Sequence, residues 1–156
     1  MHGKRSAGLL LFRRSPDGTV EVLIGHMGGP LWAARHEAAW SIPKGEYEPE
    51  EEPRAAARRE FEEELGLAAP DGEWIALGEN RQKNGKLVTV WALEGDLDPE
   101  LVVPGTFTME WPRGSGVWRE FPEIDRVGWF GPGQAEPLLV AGQRVFLERL
   151  AAHLDS

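Results

Sequence analysis

The segment Pro53–Leu65 constrains the fold of this chain more than any other. Proline suits the first turn of a helix, where its missing N–H costs nothing, and Gly66 provides a C-terminal stop. Ala57, Phe61 and Leu65 recur every four residues and give this helix one apolar stripe. The sequence therefore predicts a helix that packs this stripe against a core.

The same segment carries three glutamates whose spacing brings their carboxylates together. Glu60, Glu63 and Glu64 stand at positions i, i+3 and i+4, so they share one side of the helix, next to the apolar stripe. Like charges this close repel each other, and hard divalent cations such as Mg²⁺ or Mn²⁺, which prefer oxygen ligands, would relieve the repulsion. A solvated acidic face is the alternative, and the spacing alone does not decide between the two.

The composition excludes several classes of protein. The chain has 156 residues, 41% of them hydrophobic, and seven Trp, which suits one packed domain over residues 1–156. It contains no cysteine, so it forms no disulfide or thiolate zinc site, and a cytoplasmic location is expected. Its sequence holds no apolar run long enough to span a membrane. A formal net charge of −9 argues against nucleic acid as a partner.

The remaining apolar runs predict an α/β fold. Residues 7–12 and 20–24 flank a Pro–Asp–Gly turn and predict a β-hairpin. Residues 74–77 and 87–93, with an Asn–Gly turn between them, predict a second hairpin, and residues 126–130 predict a late strand. This order of elements indicates a mixed central sheet between helices. A closing helix is predicted from Gly142 onward, with a buried face of Phe146, Leu147, Leu150 and Leu154.

A larger pattern surrounds the acidic helix. It begins at Gly45 and Glu51 and continues with the run REFEEELGL from Arg59. This pattern resembles the Nudix box, G-x5-E-x7-R-E-U-x-E-E-x-G-U with U bulky and aliphatic, at every fixed position. Phe61 departs from the first U position, where the side chain only packs. The resemblance implies an α/β/α sandwich and a pyrophosphohydrolase.

The resemblance also implies roles for the residues of the box. The positions of Glu60 and Glu64 are the principal metal ligands of the family, and that of Glu63 binds metal directly or through water. The glycine that matches Gly45 can offer its carbonyl to the metal, which is Mg²⁺ or Mn²⁺. Glu51 and Arg59 match residues that brace the box. The residues themselves allow Arg59 to pair with Glu63 or with Glu51.

Members of the Nudix family often draw a further carboxylate from outside the box. Glu123, six residues before Trp129, resembles the late glutamate of several members and is the first candidate. Glu120 and Glu110 are the alternatives, and a solvated loop acid is the plain interpretation of each. The proton of the attacking water is then accepted by Glu64, Glu63 or Glu123.

Several residues outside the acidic helix are candidate contacts for substrate. Lys44, Arg5 and Arg81 are candidate phosphate ligands, the last two being ordinary surface cations in the alternative interpretation. The aromatic candidates for stacking a base are Trp32, His36 and Trp40, of which Trp40 suits the core equally well. Residues 40–45 resemble the W-x-x-P-K-G lead-in of Nudix enzymes that cleave diadenosine polyphosphates and inositol pyrophosphates. This resemblance favours dinucleoside polyphosphates or nucleoside triphosphates as substrates.

Two other functions share this pattern. A catalytically silent Nudix-like module would bind a nucleotide to regulate a partner, but such modules generally lose acids of the box, and these are all present. Hydrolysis of RNA 5′ ends needs a basic path for the strand, which the net charge argues against, although Arg81, Lys83 and Lys86 form a local cluster in the sequence. The resemblance further implies that a homodimer is a common state in the family.

Overall fold

The computed structural model describes residues 4–155; residues 1–3 and 156 of the expected domain lie outside the described residues. One mixed sheet of seven strands and a separate hairpin account for the strands in this range. The strands are β1 Arg5–Arg14, β2 Val20–Met27, β3 Trp40–Ser41, β4 Lys44–Glu46, β5 Trp74–Arg81, β6 Leu87–Glu94, β7 Thr106–Glu110, β8 Trp118–Pro122 and β9 Ile124–Phe130. The helices are α1 Pro53–Leu65, α2 Pro132–Leu138 and α3 Val145–Leu154, with 3₁₀ turns at Pro99–Leu101 and Ala141–Gln143.

Strand β1 lies at the centre of the sheet and decides its mixed character. It pairs parallel with β6 along most of its length. On its other edge it pairs antiparallel with β4 near its start and with β2 near its end. Strand β2 continues the sheet to β3 and β9. The predicted mixed sheet is therefore confirmed.

The side chains of β1 are buried on both faces of the sheet, which explains its unbroken apolar run. Leu9 and Leu11 pack with Phe61 of α1 on one face. Leu10 and Phe12 belong to the cluster on the other face, which includes Leu138, Phe146, Leu147 and Leu150 of α2 and α3. The predicted α/β/α sandwich is confirmed by these two layers. None of the described helices combines the length and apolar character needed to cross a lipid bilayer.

The acidic helix and the strands predicted from apolar runs are all present. Helix α1 occupies Pro53–Leu65, and Gly66 ends it in the left-handed conformation with its N–H bonded to the carbonyl of Glu62. The closing helix starts at Val145, three residues later than predicted, because a 3₁₀ turn occupies Ala141–Gln143. Strands β3 and β4, helix α2 and the β7–β8 hairpin were not predicted, and each of these elements is seven residues or shorter.

Gly66 should be irreplaceable for a second reason besides its φ of 66°. A Cβ added there would lie 2.3 Å from the carbonyl oxygen of Val103, whereas one added at Gly85, with φ of 87°, meets no atom within 4 Å. We expect Gly85→Ala to lower the free energy of unfolding by about 1 kcal/mol, the cost of the left-handed backbone alone. Gly66→Ala should lose clearly more in urea unfolding. Equal losses in the two variants would show that the Val103 contact is unimportant.

Candidate functional site

The apolar stripe of α1 fixes which way its glutamates face. Ala57, Phe61 and Leu65 are fully buried against the sheet. Because these residues set the rotation of the helix, Glu60 and Glu64 are held at its margin, where α1 meets β4. The four-residue apolar repeat identified in the sequence therefore determines where the glutamates of α1 lie.

Strand β4 brings its backbone against two of these carboxylates. A Cβ added at Gly45 would lie 2.0 Å from Oε2 of Glu60, so the absence of a side chain leaves room for that carboxylate. The backbone N–H of Lys44 donates to Oε2 of Glu64 over 3.3 Å. The structure thus brings together Gly45, Glu60 and Glu64, as the resemblance to the Nudix box implies.

Arg59 ties the loop before α1 to the helix. Its Nη2 and Nε donate to the carboxylate of Glu51 at 3.0 and 3.2 Å. Its Nη1 donates to Oε1 of Glu60 at 2.8 Å and lies 3.5 Å from Oε1 of Glu63. Arg59 therefore makes both of the pairings considered from the sequence, one with Glu51 and one with Glu63. Such a bidentate pair orients a carboxylate as well as attracting it.

Glu123 is the candidate outside the box that lies beside α1. Its backbone is held at both ends, since its N–H donates to the carbonyl of Gly105 at 2.8 Å and its carbonyl accepts from the N–H of Gly28 at 2.9 Å. A Cβ added at Gly105 would lie 3.0 Å from the carbonyl oxygen of Glu63 and 3.5 Å from Oε2 of Glu123. This backbone frame places the Glu123 carboxylate near the end of α1.

The two alternative acids lie elsewhere. The carboxylate of Glu110 accepts hydrogen bonds from the N–H groups of Gly114 and Gly116, at 2.8 and 3.2 Å, in the tip of the hairpin. Glu120 is exposed on β8, opposite Thr108. The negative charge of Glu123, in contrast, acts on both Glu64 and Glu60.

Burial, and to a smaller extent mutual repulsion, raises the pKa values of these acids. Burial raises the pKa of Glu64 to about 8, with Lys44 opposing the rise and the carboxylates of Glu123 and Glu60 adding to it. Burial also raises the pKa of Glu60, against the opposing effect of Arg59. Partial desolvation and then Glu63 raise the pKa of Glu123. A bound cation would remove the repulsion that causes part of these shifts.

The donor set suits a hard divalent cation. Carboxylate and carbonyl oxygens are the ligands that Mg²⁺ and Mn²⁺ prefer, and Gly45, Glu60, Glu63 and Glu64 supply them. In the conformation described for residues 4–155, no three acidic or imidazole side chains enclose one point. Glu60 is turned to Arg59 and Glu64 to the N–H of Lys44. The residues fit the metal in kind and in proximity, with rotation of these side chains needed to gather them.

Of the predicted phosphate contacts, Lys44 and Arg5 lie beside residues of the box, whereas Arg81 lies at a turn. Lys44 is half-buried on β4, and burial lowers its pKa while Glu64 raises it. Arg5 is exposed at the start of β1. It lines a cleft of about 1050 Å³ together with Tyr47, Glu51 and Arg59. Arg81 is exposed and donates to the carbonyl of Gly85, in the β5–β6 turn.

The aromatic candidates divide between core and surface. Trp40 is 3% exposed and packs edge-on against His26 and Phe130, with ring centroids 5.4 and 5.1 Å apart. Its indole is a core side chain in this conformation, the alternative that the sequence left open, so it offers no free face to a base. Trp32 is half-buried beneath the guanidinium of Arg35, and His36 is exposed.

Two features near Glu123 were missed from the sequence. His26 is buried, with Nδ1 2.7 Å from Oδ1 of Asp125 and Nε2 2.6 Å from the carbonyl oxygen of Arg35. It therefore ties the loop after β2 to β9. Gly28 has no room for a side chain, since a Cβ would lie 1.9 Å from the carbonyl oxygen of Pro122. The Gly–Gly pair after β2 was the only sequence signal of this close approach.

The protonation of Glu64 predicts how stability varies with pH in the metal-free protein. The folded protein binds the proton of Glu64 more tightly than the unfolded chain does. The stabilisation from this proton is therefore complete below pH 4.5, the ordinary pKa of a glutamate, and is lost as the pH rises through about 8. In chelator, we expect Glu64→Gln to match the parent in melting temperature at pH 5 and to exceed it at pH 8.5. A parent that gains stability over Glu64→Gln on this rise in pH contradicts the assignment.

The contact between Gly45 and Glu60 predicts the effect of one added methyl group. We expect Gly45→Ala to displace the Glu60 carboxylate and weaken Mn²⁺ binding by about tenfold or more, as changes around a metal site commonly do. Free Mn²⁺ measured by electron paramagnetic resonance gives the affinity. The matched control is Gly133→Ala in α2, where a Cβ meets nothing within 4 Å. Folded Gly45→Ala protein with the parent's affinity would refute the role.

Comparison with known proteins is consistent with this geometry. The family model described as a NUDIX domain matches residues 3–150. Diphosphoinositol polyphosphate phosphohydrolase 2 of Rattus norvegicus is 35% identical over 80 residues, 51% of this chain and 40% of that protein. RNA pyrophosphohydrolase of Pseudomonas putida is 41% identical over 56 residues, 35% of each protein. The matched segments cover less than half the length of these relatives.

A solved structure shares the fold over nearly the whole chain. The binary complex of an Ap4A hydrolase of C. elegans has a TM-score of 0.66 at 21% identity, covering 97% of this chain and 98% of that one. With a family model that spans most of its length and the full set of box acids on α1, the chain belongs to the Nudix family.

Proposed function

We propose that this chain is a divalent-metal-dependent pyrophosphohydrolase formed by a single domain over residues 1–156. Its substrate is a nucleoside diphosphate-linked compound, either a nucleoside triphosphate or a dinucleoside polyphosphate. The observation that carries the proposal is the meeting of Glu60 and Glu64 with the backbone of Gly45 and Lys44, with Glu123 brought alongside.

The reaction requires water to attack a phosphorus that is shielded by negative oxygens. Bound Mg²⁺ or Mn²⁺ would supply neutralisation of the diphosphate and a lowered pKa for the attacking water. Glu60 and Glu64 would hold the cations, assisted by Glu63 and by the carbonyl of Gly45. The proton of the water passes to one of Glu63, Glu64 and Glu123, all of which lie at this end of α1.

Glu51 and Arg59 hold the groups of the site in position. Their bidentate contact fixes the loop before α1, and the third donor of Arg59 reaches Glu60. Because Arg59 holds the Glu60 carboxylate, that carboxylate needs less reorganisation when a cation and diphosphate bind. Both residues are therefore positioning residues in this proposal.

The substrate side of the proposal rests on charge and on relatives. Lys44 and Arg5 are assigned to phosphate oxygens, and stacking of a base on Trp32 stays a prediction from the sequence. The relatives named as diphosphoinositol polyphosphate phosphohydrolase and Ap4A hydrolase act, by their names, on linked phosphates, which supports a diphosphate-linked substrate here. The homodimer and the cytoplasmic location expected from the sequence stay predictions.

Hydrolysis of RNA 5′ ends is the second candidate, favoured by the relative named RNA pyrophosphohydrolase. The cations expected to guide a strand are partly engaged, since Arg81 bonds the carbonyl of Gly85 and Lys86 lies 3.6 Å from Glu46. With a net charge of −9, the chain offers RNA little long-range attraction. A silent nucleotide-binding module is less well supported, because no acid of the box is missing.

Turnover on a panel of substrates tests the proposal directly. We expect the parent, with Mg²⁺ or Mn²⁺, to release the products of diphosphate cleavage from dinucleoside polyphosphates or nucleoside triphosphates. Glu64→Gln should remain folded and reduce kcat by about a hundredfold or more. The substitution removes a negative charge that would hold the cation, and the cation would neutralise the charge that develops in the transition state. Products are identified by anion-exchange chromatography.

The matched control lies on the same helix. Glu62 accepts a hydrogen bond from the N–H of Ala69, and Glu62→Gln keeps an oxygen for that contact. Its turnover should stay within about twofold of the parent. Activity of Glu64→Gln close to that of Glu62→Gln would remove Glu64 from the mechanism.

A further inference from the structure

The β7–β8 hairpin is inserted directly before Glu123. Its two strands form a sheet of their own, from Thr106–Glu110 and Trp118–Pro122. The N–H of Glu123 donates to the carbonyl of Gly105 over 2.8 Å and closes the base of the hairpin. The acid that the proposed reaction draws from outside the box is therefore the first residue beyond this element.

The register of the hairpin sorts its side chains onto two faces. Residues opposite each other share a face, and the pairs include Phe107 with Phe121 and Met109 with Arg119. We call this the odd face, defined by Gly105, Phe107, Met109, Arg119 and Phe121. The opposite face carries Thr106, Thr108, Glu110, Trp118 and Glu120.

The odd face continues into the carboxylate site. A Cβ at Gly105 would point along this face and lie 3.5 Å from Oε2 of Glu123. Strands rise about 3.4 Å per residue, which places Phe121 about 7 Å and Arg119 about 14 Å from Glu123 along β8. A surface leading outwards from the diphosphate site thus begins with two phenyl rings and ends with a cation.

The chemistry of the odd face suits a flat ring attached to an anion. The rings of Phe107 and Phe121 have centroids 6.0 Å apart with a tilt of 38°, and both are only half-buried. Arg119 is exposed beside Met109. Gly29 lies against Phe107, since a Cβ there would come within 2.8 Å of Cζ, so the turn that leads to Trp32 borders the same surface.

The hairpin is braced independently of any ligand. The carboxylate of Glu110, on the opposite face, accepts hydrogen bonds from Gly114 and Gly116 and fixes the tip. At the base, Glu123 is bonded to both Gly105 and Gly28. A surface braced at both ends loses little conformational freedom when a ligand binds.

We propose that the odd face binds the nucleobase of the substrate. The base stacks on the Phe107–Phe121 pair beside Met109, and Arg119 donates a hydrogen bond to an acceptor nitrogen or oxygen of the base. The proposal rests on the proposed function and deepens it, since it assigns nucleotide selectivity to an element outside the Nudix box. The continuity of this face with Glu123 carries the inference.

Binding of two probes tests it by calorimetry, with Mn²⁺ present. α,β-Methylene-ADP carries a base and a non-hydrolysable diphosphate, and methylenediphosphonate carries the diphosphate alone. We expect Phe121→Leu, which keeps an apolar side chain, to lower the affinity for α,β-methylene-ADP by about tenfold, because one base–aromatic stack is lost. The affinity of Phe121→Leu for methylenediphosphonate should stay within about twofold of the parent's affinity. Arg119→Ala, at an exposed position, is a second variant with the same expected selectivity.

The opposite face provides the control. Trp118 is 67% exposed, and Trp118→Ala should change neither affinity. Equal weakening of both probes by Phe121→Leu and Arg119→Ala, no weakening by either, or a loss of nucleotide affinity in Trp118→Ala would overturn the inference. The outcome is separable from the proposed function, because binding is measured without turnover. Failed hydrolysis with intact base-dependent binding would refute only the proposed reaction.

Discussion

The contact of α1 with β1 and β4 is the interaction on which the rest of the structure depends. Burial of Phe61 and Leu65 contributes about 2 kcal/mol each, which offsets the cost of holding carboxylates together on the adjoining side of the helix. Burial, with a smaller contribution from this repulsion, raises the pKa values of Glu60 and Glu64. The fold thus stores an unfavourable arrangement of charge at the place where a cation would make it favourable, as is common at functional sites.

A second element completes the site from a distant part of the chain. Glu123 approaches α1 because backbone hydrogen bonds to Gly28 and Gly105 hold it between β8 and β9. The same bonds anchor the hairpin whose odd face leads away from the carboxylates. Our proposals therefore divide chemistry from selectivity. In them, residues of the box supply the oxygen ligands, and elements joined at Glu123 supply the surface that distinguishes one diphosphate from another.

The parts of the molecule that follow from local pattern were predictable. The period of Ala57, Phe61 and Leu65 predicted α1, and the doubly buried β1 appeared as an unbroken apolar run. The β7–β8 hairpin was missed because its apolar residues are few and half-exposed, so its alternation is weak. Trp40 could not be placed from sequence, because a core indole and a stacking indole look alike until neighbours such as His26 and Phe130 are known. The choice among Glu123, Glu120 and Glu110 likewise depended on non-local backbone contacts.

The central claim is that the carboxylates at the α1–β4 margin gather divalent cations around a diphosphate. Anomalous diffraction from crystals grown with Mn²⁺ and methylenediphosphonate locates such cations without reference to any variant. We expect anomalous peaks within coordination distance of the Glu60 and Glu64 carboxylates, about 2.0–2.6 Å from their oxygens, with the diphosphonate against the same peaks. Peaks confined to other acidic surfaces, with Glu60 still bound to Arg59 and no cation at Glu64, would contradict it.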